Sequence, residues 1–170
     1  MKLIGVLLAA GRSTRMGRPK QLLPWPPKSE NAKPLVAAAF DAIARVCDEM
    51  VVVVGHEAED VVAALGERAF HRAEGDSKFE LFMSIRAGLL LARKIDALAD
   101  LLLQPADHPE VRRDTLEEII AVGAKHPERA IMPQFLGRGG HPVLVPPGVA
   151  PLFRGYNSRG GLRQFWLDRP

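Results

Sequence analysis

The sequence predicts an α/β protein, a mostly parallel sheet with helices on both faces. Two observations point there. Short aliphatic or β-branched runs recur along the chain at residues 3–8, 50–54, 101–103, 130–132 and 143–145, each continuous rather than alternating, as strands buried on both faces are. Helical patterns stand between them, and strand, helix, strand, helix in succession favours parallel pairing. The chain has 170 residues, 47% of them apolar and 25% charged, enough to bury a core and unlike a disordered or fibrous chain. One domain over 1–170 is the expectation.

Taken in order, the first run opens Met1-Lys2-Leu3-Ile4 and is read as a buried strand rather than a short signal peptide, because the glycine and arginine cluster behind it then has a use. Residues 24–27, Pro-Trp-Pro-Pro, exclude helix and predict a surface loop. After Pro34, the residues Val36, Phe40, Ile43 and Cys47 recur at spacings of four, three and four, one apolar face of a helix that starts behind proline. Further helices are expected at 57–65, from 84 to about 94 and from 114 to about 125, the last lined by Leu116, Ile119, Ile120 and Gly123. Ser84 and Asp114 suit N-caps, Asp114 with Glu117 three residues on. Residues 104–109 read as a loop at a strand end, and in such sheets the ligand crevice lies at the carboxyl ends of the strands.

Charge is distributed unevenly. The net +3 comprises +6 over residues 1–28, −7 over 29–136 and +4 over 137–170. A protein that binds a duplex spreads basic residues along one face, and the familiar nucleic-acid signatures are absent, so a small polyphosphate suits the pattern better than DNA or RNA. The single cysteine, Cys47, permits no intramolecular disulfide, and no Cys/His spacing resembles a zinc site. A reducing cytoplasm is the expected setting. No apolar run approaches the roughly 18 residues needed to span a bilayer.

Directly after the first strand stands Leu8-Ala9-Ala10-Gly11-Arg12-Ser13-Thr14-Arg15-Met16-Gly17-Arg18-Pro19-Lys20-Gln21. Without a Cβ, Gly11 and Gly17 let the backbone turn sharply and present amides to phosphate oxygens. Arg15 adds a bidentate fork and Lys20 a point charge. The pattern is neither a Walker A loop nor the three-glycine dinucleotide fingerprint. A phosphate cradle and an ordinary turn with solvated arginines both accommodate these residues taken alone.

This stretch, Leu-Ala-Ala-Gly-x-Ser-x-Arg-Met-Gly-x-x-Lys at residues 8–20, resembles the signature of the MobA-like NTP transferases, and with Gln21-Leu22-Leu23 it looks most like the molybdenum cofactor cytidylyltransferase branch. Three later pieces follow in the family's order: residues 84–89, residues 105–109 (Pro-Ala-Asp-His-Pro) and residues 137–143 (Gly-Arg-Gly-Gly-His-Pro-Val). The resemblance implies a Rossmann-like nucleotidyltransferase fold in which Leu8, Ala9, Ala10, Gly11, Arg12, Ser13, Arg15 and Lys20 bind the nucleotide. It sets Ala9 and Ala10 against the base. Ala10 stands where the guanylyltransferase relatives carry a second glycine, which favours CTP over GTP.

Asp107 follows the run at 101–103, at a strand end facing the crevice. It matches the family's metal-binding aspartate, which would hold Mg²⁺ with waters and substrate phosphates; an aspartate capping the turn before Pro109 is the alternative. His108 and His141 each precede a proline. Phosphoryl transfer asks mainly for positioning and charge neutralisation, so both are read as substrate-positioning or structural. Lys20, Arg15 and Asp107 are the catalytic candidates, and His108, Arg138, His141 and Arg163, with Arg159, are candidates for the acceptor. Three departures from the family's pattern stand out, the first and third bearing on a second metal ligand and the second on the acceptor or base pocket. The tail stretch at 156–163 lacks the acid that cofactor cytidylyltransferases carry in a Gly-Asp-x-Gly-Ala-Arg segment, and Glu80 stands where relatives have a glycine. The closing segment is shorter than in relatives.

The function expected is transfer of a nucleotide, CMP from CTP, to a phosphorylated small-molecule acceptor such as molybdopterin, with release of pyrophosphate. A molybdoenzyme is a further candidate partner. The competing readings are a nucleotide-binding accessory protein for molybdoenzyme maturation and a sugar-phosphate nucleotidyltransferase.

Overall fold

The computed structural model describes residues 2–11, 19–75, 81–156 and 160–169. Its centre is a five-stranded sheet in the order β5-β4-β1-β6-β9. Strands β1 (Leu3–Leu8), β4 (Glu49–Val54), β5 (His71–Glu74) and β6 (Asp100–Pro105) run parallel, and β9 (Val143–Val145) pairs antiparallel with β6. Period-two alternation of the strands divides their side chains between two cores. Ile4, Val6 and Leu8 pack with Phe82, Ile85 and Leu89 of α3 (Leu81–Ile95). On the other face Leu3 and Leu7 pack with Val36, Phe40 and Ile43 of α1 (Leu35–Ala44), Val61 and Leu65 of α2 (Ala58–Leu65), and Leu116 and Ile119 of α4 (Arg113–Lys125). The sheet is covered on both faces, as the apolar runs predict.

The chain builds β1, β4 and β5 outward in one direction and then crosses back through α3 to lay β6 on the far side of β1. The order therefore reverses at β1 and β6. At such a switch point the loops leaving the carboxyl ends of neighbouring strands diverge and leave a crevice.

Several local expectations are corrected. Residues 130–132 form no strand: Ile131 alone bridges Leu144, because Pro133 has no N–H to extend the ladder. The segment at 24–27 is not wholly loop, since β2 (Pro24–Trp25) pairs antiparallel with β3 (Lys33–Pro34), a length at which missing donors cost little. Ser84 lies inside α3, buried, and caps nothing. α4 begins at Arg113, one residue before Asp114. Asp114 Oδ1 accepts from its neighbour Thr115 N–H at 2.8 Å, and Glu117 pairs with Arg113 at 2.8 Å, so the capping box does not form. Cys47 lies beyond the end of α1, in the turn into β4. The edge strand β5, the hairpin of β7 (Gln134–Phe135) and β8 (Arg138–Gly139), and the tail helices α5 (Leu152–Gly155) and α6 (Gly161–Leu167) were not expected. Phe153, Tyr156 and Phe165 of the tail stack around Phe82, ring centroids 5.3 to 5.7 Å from it, and so close the α3 face of the core.

Candidate functional site

The segment leaving β1 is locked before it reaches solvent. Ala9 N–H donates to Val53 O at 2.8 Å, and Ala106 N–H donates to Leu8 O at 3.0 Å. Leu8, Ala9 and Ala10 are buried, and Gly11 is the first exposed residue. Ala10 occupies a close approach of three segments: a Cβ added at Gly55 or at Gly75 would fall 3.0 Å from the Ala10 methyl, and at Gly75 also 2.9 Å from Ser84 Oγ. Arg12, Ser13 and Arg15, like Glu80 and Arg159, lie outside the described residues.

The chain resumes at Pro19 and makes a single 3-10 turn, Lys20–Leu22. Lys20 is exposed, whereas Gln21 is buried. The Gln21 side-chain amide donates to Ala9 O at 3.1 Å and to Gly11 O at 2.7 Å. One side chain thereby fastens both ends of the glycine-bearing stretch across twelve residues or fewer.

Asp107 follows β6 and the buried Ala106, with its side chain 48% exposed. His108 Nε2 is 3.6 Å from Asp107 Oδ1. The His108 and His141 rings meet edge to face, with centroids 5.5 Å apart. Gln104, fully buried, donates from Nε2 to His108 O at 2.7 Å and so holds this loop to its own strand. Burial pushes the His141 imidazole below the ordinary histidine range, and His108 nearby acts the same way; a hydrogen bond to the Leu103 backbone and the Asp107 carboxylate oppose them. His141 is therefore held toward its neutral form. Its Nδ1 and the Oε1 of Gln104 are buried without a partner among the described residues.

These segments enclose a cleft of about 780 Å³. Lys20, Leu23, Pro24, Trp25 and Pro27 line it together with Asp107, His108, Arg112, Thr115 and His141. The structure thus brings Lys20, Asp107, His108 and His141 together. Arg138, on the exposed hairpin strand β8, and Arg163, on α6 beside the aromatic cluster, do not line it. No group of three His, Cys, Asp or Glu able to hold a metal occurs among the described residues. The donor set fits a hard cation that keeps waters and arrives with substrate phosphates, needing one carboxylate from the protein. It does not fit a closed, all-protein metal cage.

Three residues carry no assigned role in the sequence: Trp25 lines the cleft, and Gln21 and Gln104 hold the segments beside it. Burial of a glutamine beside a glycine-rich loop is a tertiary fact, and only the adjacency of Gln21 to Lys20 signalled it.

The sequence profile of the MobA-like NTP transferase domain matches residues 5–169. The chain belongs to that family. Among curated MobA-like relatives, a probable molybdenum cofactor guanylyltransferase of Rhodopirellula baltica is 29% identical over 133 residues, covering 78% of this chain and 61% of the relative. A molybdenum cofactor guanylyltransferase of Pseudomonas aeruginosa is 32% identical over 128 residues, 75% of this chain and 59% of the relative. The chain thus spans about three fifths of the length of these relatives. Among solved structures, Rv0371c from Mycobacterium tuberculosis superposes with a TM-score of 0.79 at 27% identity, covering 98% of this chain and 81% of the other. A second structure of Rv0371c is a complex with manganese, with a TM-score of 0.75 at 26% identity over the same shares of the two chains. No helix among the described residues is long and apolar enough to cross a membrane.

Proposed function

We propose that the protein is a nucleotidyltransferase in which the loop after β1 holds the triphosphate of an NTP and the cleft beside it receives a phosphorylated acceptor. The observation that carries the reading is that Lys20 and Asp107 line one cleft, Asp107 just past β6 where the strand order reverses. A phosphate oxygen of the acceptor attacks the α-phosphorus in line, an O–P bond forms, the bond from the α-phosphorus to the bridging oxygen breaks, and pyrophosphate leaves. The attacking oxygen is already anionic, so the protein's work is positioning and charge stabilisation rather than proton abstraction. Lys20 neutralises the charge that grows on the departing pyrophosphate. Asp107 would hold Mg²⁺ together with phosphate oxygens and water, and the bound ion supplies further charge neutralisation at the triphosphate. The manganese complex of Rv0371c supports a divalent ion in this family. Neutral His141 and its neighbour His108 position the acceptor.

For the base, we assign CTP ahead of GTP. The resemblance sets the base against Ala10, whose methyl lies close to both Gly55 and Gly75, and a methyl in place of a glycine there favours the smaller pyrimidine, while the guanylyl names of the relatives make GTP the competing nucleotide. A molybdopterin-type phosphate is the acceptor those names favour. The test is pyrophosphate release with each of the four NTPs, Mg²⁺ and that acceptor. CTP should give the highest kcat/KM, and Asp107→Asn should lower turnover about 10²-fold. Preference for GTP would overturn the base assignment alone, and full turnover in Asp107→Asn would overturn the metal assignment.

A further inference from the structure

The loop that carries Asp107 is tied down on both sides of that residue. Ala106 N–H donates to Leu8 O on β1 at 3.0 Å, and His108 N–H donates to Pro105 O at 3.3 Å, closing a turn over 105–108. The third tie is a side chain, Gln104, whose Nε2 donates to His108 O at 2.7 Å. A carbonyl only accepts, so the nitrogen of the Gln104 amide is the end that faces His108. Among the described residues no hydrogen bond holds the Asp107 carboxylate itself; its ion-pair partner, His108 Nε2, stands 3.6 Å away. The direction of the carboxylate is therefore set by the backbone beneath it.

Packing alone does not explain a glutamine at this position. Gln104 is fully buried, and Leu102 and Ala106, two residues away on either side, belong to the apolar core shared with α1, α2 and α4. Its Oε1 is buried with no partner among the described residues, and an unpaired buried acceptor costs stability. An unbranched apolar side chain of the same length would fill the site without that cost. What the glutamine adds is the bond to His108 O.

We infer that Gln104 is a positioning residue for the divalent ion: through the His108 backbone it fixes where Asp107 stands, and so sets the affinity of the site for the ion that accompanies the NTP. The inference rests on the reading of Asp107 as the metal ligand. Groups that hold a metal ligand in place without touching the ion typically carry about 10- to 100-fold in affinity.

The test is Mn²⁺ binding to the whole protein, read from the EPR signal of free Mn²⁺, with the unreactive α,β-methylene analogue of CTP or of GTP and no acceptor. Gln104→Met keeps the length and removes the donor. It should raise the Kd for Mn²⁺ about tenfold, while Tm and the affinity for the analogue in EDTA stay as in the unmutated protein. Gln104→Asn keeps the amide but is too short to reach His108 O; it should weaken Mn²⁺ to the same extent, and it carries the test if Gln104→Met does not fold. Asp107→Asn, as the reference, should weaken Mn²⁺ further. Unchanged Mn²⁺ affinity in the Gln104 variants beside a weakened Asp107→Asn overturns the inference and leaves the metal assignment standing. Unchanged affinity in Asp107→Asn overturns both. A raised Kd matched by an equal loss of affinity for the metal-free analogue reports damage to the whole site and overturns the positioning role.

Discussion

Replacing Lys20 with Ala is expected to lower kcat about 10²-fold or more, because a positioned cation acting on developing charge is worth that much in phosphoryl transfer; steady-state pyrophosphate release measures it. Gln21 acts differently. Gln21→Met keeps the volume but leaves the carbonyls of Ala9 and Gly11 without their donor. Of the two, the Ala9 carbonyl is buried, and an unmet buried acceptor costs about 1–3 kcal/mol, which in a chain of this size corresponds to a fall in Tm of several degrees by calorimetry. His141 makes stability depend on pH. Its pKa in the folded protein lies below the ordinary value of 6.5, so folding favours the neutral ring; that stability is present above 6.5 and is lost as pH falls through the lowered value. His141→Phe should therefore flatten the decline in Tm between neutral and mildly acid pH. Lys20, Asp107, His108 and His141 line one cleft, and each was singled out in the sequence because it sits in a short motif. Trp25, Gln21 and Gln104 were not, since a glutamine or tryptophan acquires its role from segments distant in sequence that fold against it.

Helix α3 lies on the sheet closely enough to need a glycine. A Cβ at Gly88 would come within 2.5 Å of Val6 Cγ1 and 2.7 Å of Val53 Cγ2, and both valines stand on central strands with little freedom to move. In a helix, alanine gains about 1 kcal/mol over glycine, but overpacking a rigid core typically costs about 1–3 kcal/mol. Gly88→Ala is expected to lower stability by chemical denaturation, against its helix propensity. The buried strands and the helices α1 to α4 were legible because continuous apolar runs and 3.6-residue periodicity survive in the sequence. The edge strand β5, read His-Arg-Ala-Glu, buries only Ala73, and so carries no apolar signature. Two-residue strands and the four-residue α5 are shorter than any periodicity can reveal, and α6 is defined by the aromatic cluster it joins more than by its own pattern.

Across the whole molecule, the two cores hold β1 and β6 side by side and parallel, so the chain leaves both strands at one end of the sheet, where the strand order reverses. Lys20, from the basic first 28 residues, and Asp107, from the acidic middle of the chain, line one cleft. In the proposed reaction Lys20 and an Asp107 that would hold a divalent ion suit a triphosphate, and a duplex would meet the −7 of the central segment instead. The architecture was legible from the succession of elements; the position of the cleft followed from it, and its apolar lining did not. Two parallel reactions with NTP labelled at the α-phosphate and at the γ-phosphate, each with Mg²⁺ and a phosphorylated pterin acceptor, test the central claim most directly. The α-label should appear in the acceptor and the γ-label in pyrophosphate, both lost in Lys20→Ala. An α-label left wholly in free NTP or NMP, or a γ-label that reaches the acceptor, would contradict it.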